Sequence, residues 1–195
     1  MSVMSHRFFV LALLVVGSAW GSLVTAEESP ALEITSAIYG DLPDGAKVDV
    51  TDKVKKELKD GKLRLEVCND LLGDPAEQKG KTLIVKYKLG GEAGETKISE
   101  GDLLLIPMPK LVGALKITKA EYGDIANGLV YDITSDLQSR VKNGAIEMEV
   151  NNDVLGDPAS GVFKTLRVVY TIGDTELVKR VYEGGTLKLS EPKPE

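Results

Sequence analysis

The sequence predicts a mainly β protein made of two tandem small domains, each a β-sandwich or rolled sheet with one short helix; an α+β arrangement is the alternative. Three observations predict it. LEITSAIYGD at Leu32 returns as LKITKAEYGD at Leu115, and the same offset of 83 residues runs without a gap through both copies. About 30 of the 75 aligned positions are identical, so one unit is written twice. Within each copy a period of two dominates, and a single short stripe has helical spacing. The unit is too long for a solenoid repeat and long enough for a small domain.

Each element can be read in both copies. Leu32–Ile38 alternates apolar and polar residues and predicts a strand closed by a Tyr39-Gly40-Asp41 turn. Val50, Val54 and Leu58 recur as Ile133, Leu137 and Val141, one stripe of a short helix. Thr51 and Thr134 are the expected caps, with Gly61 and Gly144 as left-handed residues closing it. Leu63, Leu65 and Val67, matched by Ile146, Met148 and Val150, predict a strand. After the loop that starts at Asn69 comes another, with Leu83, Val85 and Tyr87 against Leu166, Val168 and Tyr170. One or two closing strands follow, around 96–99 and 103–106, mirrored by 177–182 and 186–189. The expected division is 32–106 and 115–189, with a proline-containing linker at 107–114 and a disordered tail at 190–195.

Residues 1–26 read as a signal peptide, ahead of a leader at 27–31. Arg7 precedes an apolar run from Phe8 to Val16, and Val24-Thr25-Ala26 supplies small residues at −3 and −1. The run of about nine residues is well short of the roughly 20 that a spanning helix needs. The expected destination is therefore the periplasm, the cell envelope or the exterior, with no membrane span after cleavage. Cleavage would remove His6 and Trp20, the chain's single histidine and tryptophan. Mechanisms that use histidine as base or metal ligand would go with them. The formal charge of −6 and pI near 5.0 argue against a nucleic-acid partner. One cysteine, Cys68, allows no intramolecular disulfide, and Asn151 takes its place in the other copy.

Two features are candidate sites. The loop Asn69-Asp70-Leu71-Leu72-Gly73-Asp74-Pro75-Ala76 recurs as Asn152-Asp153-Val154-Leu155-Gly156-Asp157-Pro158-Ala159. Its oxygens suit a hard cation, making Asp70, Asp74, Asp153 and Asp157 candidate calcium ligands, with no other cofactor expected. The same residue types are turn formers, and the spacing is not that of an EF-hand. Tyr39 with Asp41 and Tyr122 with Asp124 form a candidate ligand-binding edge; alternatively each ring covers a core end and its hydroxyl bonds locally. Two carboxylates suffice for glycoside hydrolysis, but 30 acidic residues make a chance pair unremarkable in itself.

The string YGD…DVTDKV…GKLRLEV, then ND, LGDPA and a lysine-led strand, present twice, resembles a known domain family. It is similar to the C-terminal domain, of unknown function, of the mitochondrial DnaJ-like protein of the C-eleven type. Tandem copies behind a signal peptide resemble exported planctomycete-type members. The resemblance implies a binding or scaffolding module with no catalytic residues to carry over. No J domain is present, so no chaperone partner is expected. The leading expectation is an exported, non-catalytic interaction or structural module whose partner is an envelope or extracellular protein or glycan. Calcium-dependent ligand binding, of glycans for example, through the acidic loops is the second, and a small acidic hydrolase the third.

Overall fold

A computed structural model describes residues 30–193. The expected signal peptide, the leader up to residue 29 and the last two residues lie outside the described residues. Among the described residues, no helix is long and apolar enough to cross a membrane.

The first repeat runs β1 (Leu32–Gly40), β2 (Lys47–Asp49), α1 (Thr51–Lys56), β3 (Leu58–Lys59), β4 (Lys62–Glu66), α2 (Asn69–Leu72), β5 (Thr82–Leu89), β6 (Glu92–Ser99) and β7 (Leu103–Ile106). The second runs β8 (Leu115–Asp124), β9 (Leu129–Asp132), α3 (Thr134–Arg140), β10 (Ala145–Glu149), α4 (Asn152–Leu155), β11 (Thr165–Ile172), β12 (Thr175–Tyr182) and β13 (Thr186–Ser190). Each repeat has a four-stranded antiparallel sheet, ordered β2-β1-β5-β6 or β12-β11-β8-β9. A smaller antiparallel sheet completes it, β3-β4-β7 in the first and β10-β13 in the second. The mainly β expectation holds.

Period-two patterning builds each core. Ile34, Ala37, Tyr39, Leu83 and Val85 point inward from the large sheet of the first repeat, against Leu63 and Leu65 from the small one. Val54 from α1 fills the same core. In the second repeat, Ile117, Ala120, Tyr122, Leu166 and Val168 meet Ile146 and Leu187, with Leu137 from α3.

Several local expectations are corrected. The first strand continues through Tyr39 and Gly40, because burying the Tyr39 ring keeps the backbone in register with β2 and β5. The helix stripe ends earlier: α1 stops at Lys56 and Leu58 belongs to β3. Thr51 and Thr134 do not cap with their hydroxyls. Their Oγ1 atoms accept from the Ala37 and Ala120 N–H groups at 2.9 Å, tying helix to strand. The N-cap residues are Val50 and Ile133, which carry no side-chain capping bond; Asp49 and Asp132, one residue further out, accept from the Thr51 and Thr134 N–H groups at 2.8 and 2.9 Å. Those bonds hold both aspartate carboxyls below the usual carboxylate range. Each repeat has two short helices, not one, since the expected loop opens with the helical turn α2 or α4. The expected tail is partly built into the fold: Ser190 pairs with Ala145, and Glu191 accepts from the Leu115 N–H at 2.9 Å.

The repeats share a wall. Strand β7 is apolar on both faces: Leu104 and Ile106 enter the first core, while Leu103 and Leu105 pack into the second. Leu111, in the expected linker, also packs against the second core. The corresponding strand β13 reads Thr186-Leu187-Lys188-Leu189, with polar residues turned out.

Candidate functional site

Residues identical in both copies converge on one polar knot per repeat. In the first, the buried Tyr39 donates its hydroxyl to Asn69 Oδ1 at 3.0 Å; in the second, Tyr122 donates to Asn152 Oδ1 at 2.9 Å. Lys81 is only 4% exposed, and its ammonium meets Asp74 at 3.1 Å, Glu100 at 3.2 Å and the Lys79 carbonyl at 2.9 Å. Lys164 repeats this with Asp157 at 3.0 Å, Glu183 at 3.7 Å and the Val162 carbonyl at 2.9 Å. A buried ammonium is tolerated only when its protons find acceptors, and here each finds several. Burial first, then the nearby Glu183 and Asp157, pushes the Tyr122 hydroxyl up to about 12. Tyr39 shifts upward for the same first reason.

The knots show where the candidate residues go. Asp74 and Asp157 face ammonium groups, and Asp70 binds Arg180 Nη1 at 3.0 Å. Asp153 lies in the first turn of α4, the position of Asp70 in α2. Among the described residues, no three acidic, histidine or cysteine side chains gather in a way that would hold a metal. Tyr39 and Tyr122 have fully buried rings, so they form no ligand edge at the surface. Asp41 sits in the turn after β1, its carbonyl accepting from the Gly45 N–H at 2.7 Å. Asp124 accepts from Asn127 Nδ2 at 2.7 Å.

At the seam between the repeats the second copy brings basic residues that the first does not share. Arg167 and Arg180 both bind Glu66, Arg180 at 3.2 Å, and Arg64 meets Glu176 at 2.8 Å. Burial opposes a charged Glu66, yet the two guanidiniums outweigh it and hold its carboxyl below the usual range. Lys179 binds Asp102 at 2.7 Å, and the Arg180 N–H donates to the Gly101 carbonyl at 2.6 Å. Gly101 must be glycine: its φ is +91°, and a Cβ there would lie 2.3 Å from the Arg180 carbonyl oxygen. The first copy has Ile84, Lys97 and Thr96 where the second has Arg167, Arg180 and Lys179.

This seam encloses a cleft of about 790 Å³. Asp74, Glu77, Lys79 and Glu100 line it from the first repeat, and Phe163 and Tyr182 from the second. Tyr182 donates its hydroxyl to Glu100 at 2.6 Å, and Phe163 stacks on the Tyr182 ring with centroids 6.1 Å apart. Phe163 remains 67% exposed. The equivalent positions in the first copy are Gly80 and Ser99. Lys81, Glu100, Phe163 and Tyr182 were not singled out from the sequence. The first two were legible as identities between copies, the last two as aromatic replacements of Gly80 and Ser99.

The chain is 27% identical over 174 residues to a protein of Formosa agariphila named "Putative beta-glucuronidase". That stretch is 84% of this chain and 15% of the relative, so the chain spans a small fraction of that protein's length. No protein-family model matches the chain, and no solved structure matches it.

Proposed function

We propose that this chain is an exported, non-catalytic interaction module that holds its ligand in the cleft between its two repeats. One observation carries the reading: Phe163 is a large apolar ring left 67% exposed, stacked on Tyr182 at the mouth of a cleft of about 790 Å³. The ring packs on Tyr182 rather than in the core, lines the cleft where the other copy has Gly80, and so is placed to contact a ligand. Likeness to 15% of a much longer protein supports a module that works beside a separate catalytic body. Resemblance to a domain without known catalytic residues agrees with this. The expected setting is the envelope or the exterior, with a protein or glycan partner there.

The relative's name raises hydrolysis, and the geometry supports binding over it. Of the three carboxylates facing the cleft, Asp74, Glu77 and Glu100, two contact Lys81 Nζ: Asp74 at 3.1 Å and Glu100 at 3.2 Å. Asp74 and Glu100 are therefore bridged by an ammonium, which opposes their use as the paired acid and base of glycoside hydrolysis. The test has two parts. Purified protein given a chromogenic β-glucuronide should release no dye above the buffer rate, and it should be retained on the cell-envelope fraction in a Phe163-dependent way. Turnover abolished by Glu100→Gln would overturn the reading in favour of a hydrolase.

A further inference from the structure

Resting on that reading, we infer that the ligand of the cleft is a neutral oligosaccharide, bound without a metal ion. Sugars present two kinds of surface at once, a patch of C–H groups on a ring face and a rim of hydroxyls that both donate and accept. The cleft offers the complement of both. The exposed face of Phe163, held by its stack on Tyr182, is a flat apolar platform. Around it stand Asp74 and Glu77 as acceptors and Lys79 as a donor, with the Gln78 amide able to do either. The volume, about 790 Å³, lies within the range of small-molecule sites and is ample for several sugar rings.

Charge selects among sugars. Asp74, Glu77 and Glu100 set three carboxylates against the two ammonium groups of Lys79 and Lys81, and Lys81 is already shared between Asp74 and Glu100. A uronate would bring a further negative charge to a site with an excess of carboxylates and no free guanidinium fork to receive it. Neutral sugars avoid that repulsion. Strand-adding capture of a peptide on the β12 edge beside the cleft is blocked, because Gly101 and Asp102 already bridge to it.

The cleft belongs to the pair of repeats and to neither one alone. The second repeat's own knot, with Lys164 and Glu183, does not line this cleft. One site per chain is therefore expected, despite two copies of the unit.

The test is titration calorimetry of the whole protein with cellotetraose, laminaritetraose and tetra-N-acetylchitotetraose, and separately with a glucuronate-containing tetrasaccharide, in the presence of EDTA. At least one neutral oligosaccharide should bind with a Kd of about 1 mM or tighter, at one site per chain and more tightly than the uronate. Phe163→Ala should weaken that binding at least about tenfold, and Phe163→Tyr should preserve it. Three results would overturn the inference: no neutral oligosaccharide binding, binding that Phe163→Ala leaves unchanged, or binding lost in EDTA. If envelope retention still depends on Phe163 while no sugar binds, the cleft stands as the interaction site and only the ligand class falls. If retention is indifferent to Phe163, both fall.

Discussion

Replacing Lys81 with methionine isolates the knot that holds the cleft floor. The substitution keeps the volume and flexibility of the stem and removes the ammonium. Glu100, whose side chain is 6% exposed, then loses its cation and keeps the Tyr182 hydroxyl. Asp74, at 38% exposed, can rehydrate. Removing one partner of a buried ion pair costs about 3–5 kcal/mol, because the other charge is left behind. Lys164→Met should cost less, about 1–3 kcal/mol, since Glu183 is 22% exposed and Asp157 41%, and water reaches both. For a chain of this size each kcal/mol moves the midpoint by roughly 2–4 °C, so Lys81→Met should lower the Tm by roughly 6–20 °C. Urea and thermal unfolding read both variants. Pairing Lys81→Met with Glu100→Gln should recover at least half of the loss, since the stranded charge is gone. If Lys81→Met unfolds within about 1 kcal/mol of the parent, or the second substitution recovers nothing, buried charge compensation is not what Lys81 supplies.

Further outcomes follow from the seam and the loops. Leu103→Ala, at a residue 6% exposed in the second core although it belongs to the first repeat, should cost about 2–4 kcal/mol and leave one cooperative transition; separate melting of two halves would refute a shared wall. Acid should loosen the seam through Glu66. Its folded carboxyl lies below the ordinary 4.5, so its contribution is complete above that value and is lost as pH falls through the lowered one. Glu66→Gln should therefore flatten the stability curve below about pH 4.5. Melting in EDTA and in millimolar calcium should coincide, because Asp74 and Asp157 already hold ammonium groups; a rise of several degrees on adding calcium, abolished by Asp74→Asn with Asp157→Asn, would restore the metal reading.

The duplication made much of this fold legible. Strands that alternate in both copies could be placed twice, and the tyrosine, NDxLGDPA and lysine landmarks turned out to be one knot. What sequence reasoning missed has a common physical cause. A knot must close inside every copy, so its residues stay identical. A seam uses each face once, so most of its basic and aromatic residues differ between copies, although Glu66 and Gly101 recur as Glu149 and Gly184. Leu103-Leu104-Leu105-Ile106 against Thr186-Leu187-Lys188-Leu189 is the clearest case: an unbroken apolar strand is one buried on both sides, while its alternating twin has one face outward. Arg167, Arg180, Phe163 and Tyr182 carry the same signal as departures from Ile84, Lys97, Gly80 and Ser99. The threonines at the helix starts misled for a local reason. Each helix starts on the threonine itself, one place inside the N-cap, and the aspartate two residues upstream accepts from its N–H.

The claim that the ligand site lies in the seam is tested most directly by amide chemical-shift mapping of the whole protein titrated with the best-binding neutral oligosaccharide. Perturbations should cluster at 74–81, at Glu100 and at Phe163 and Tyr182, and leave 152–159 unmoved. Perturbations centred on the second acidic loop, or spread over both loops alike, would contradict the account.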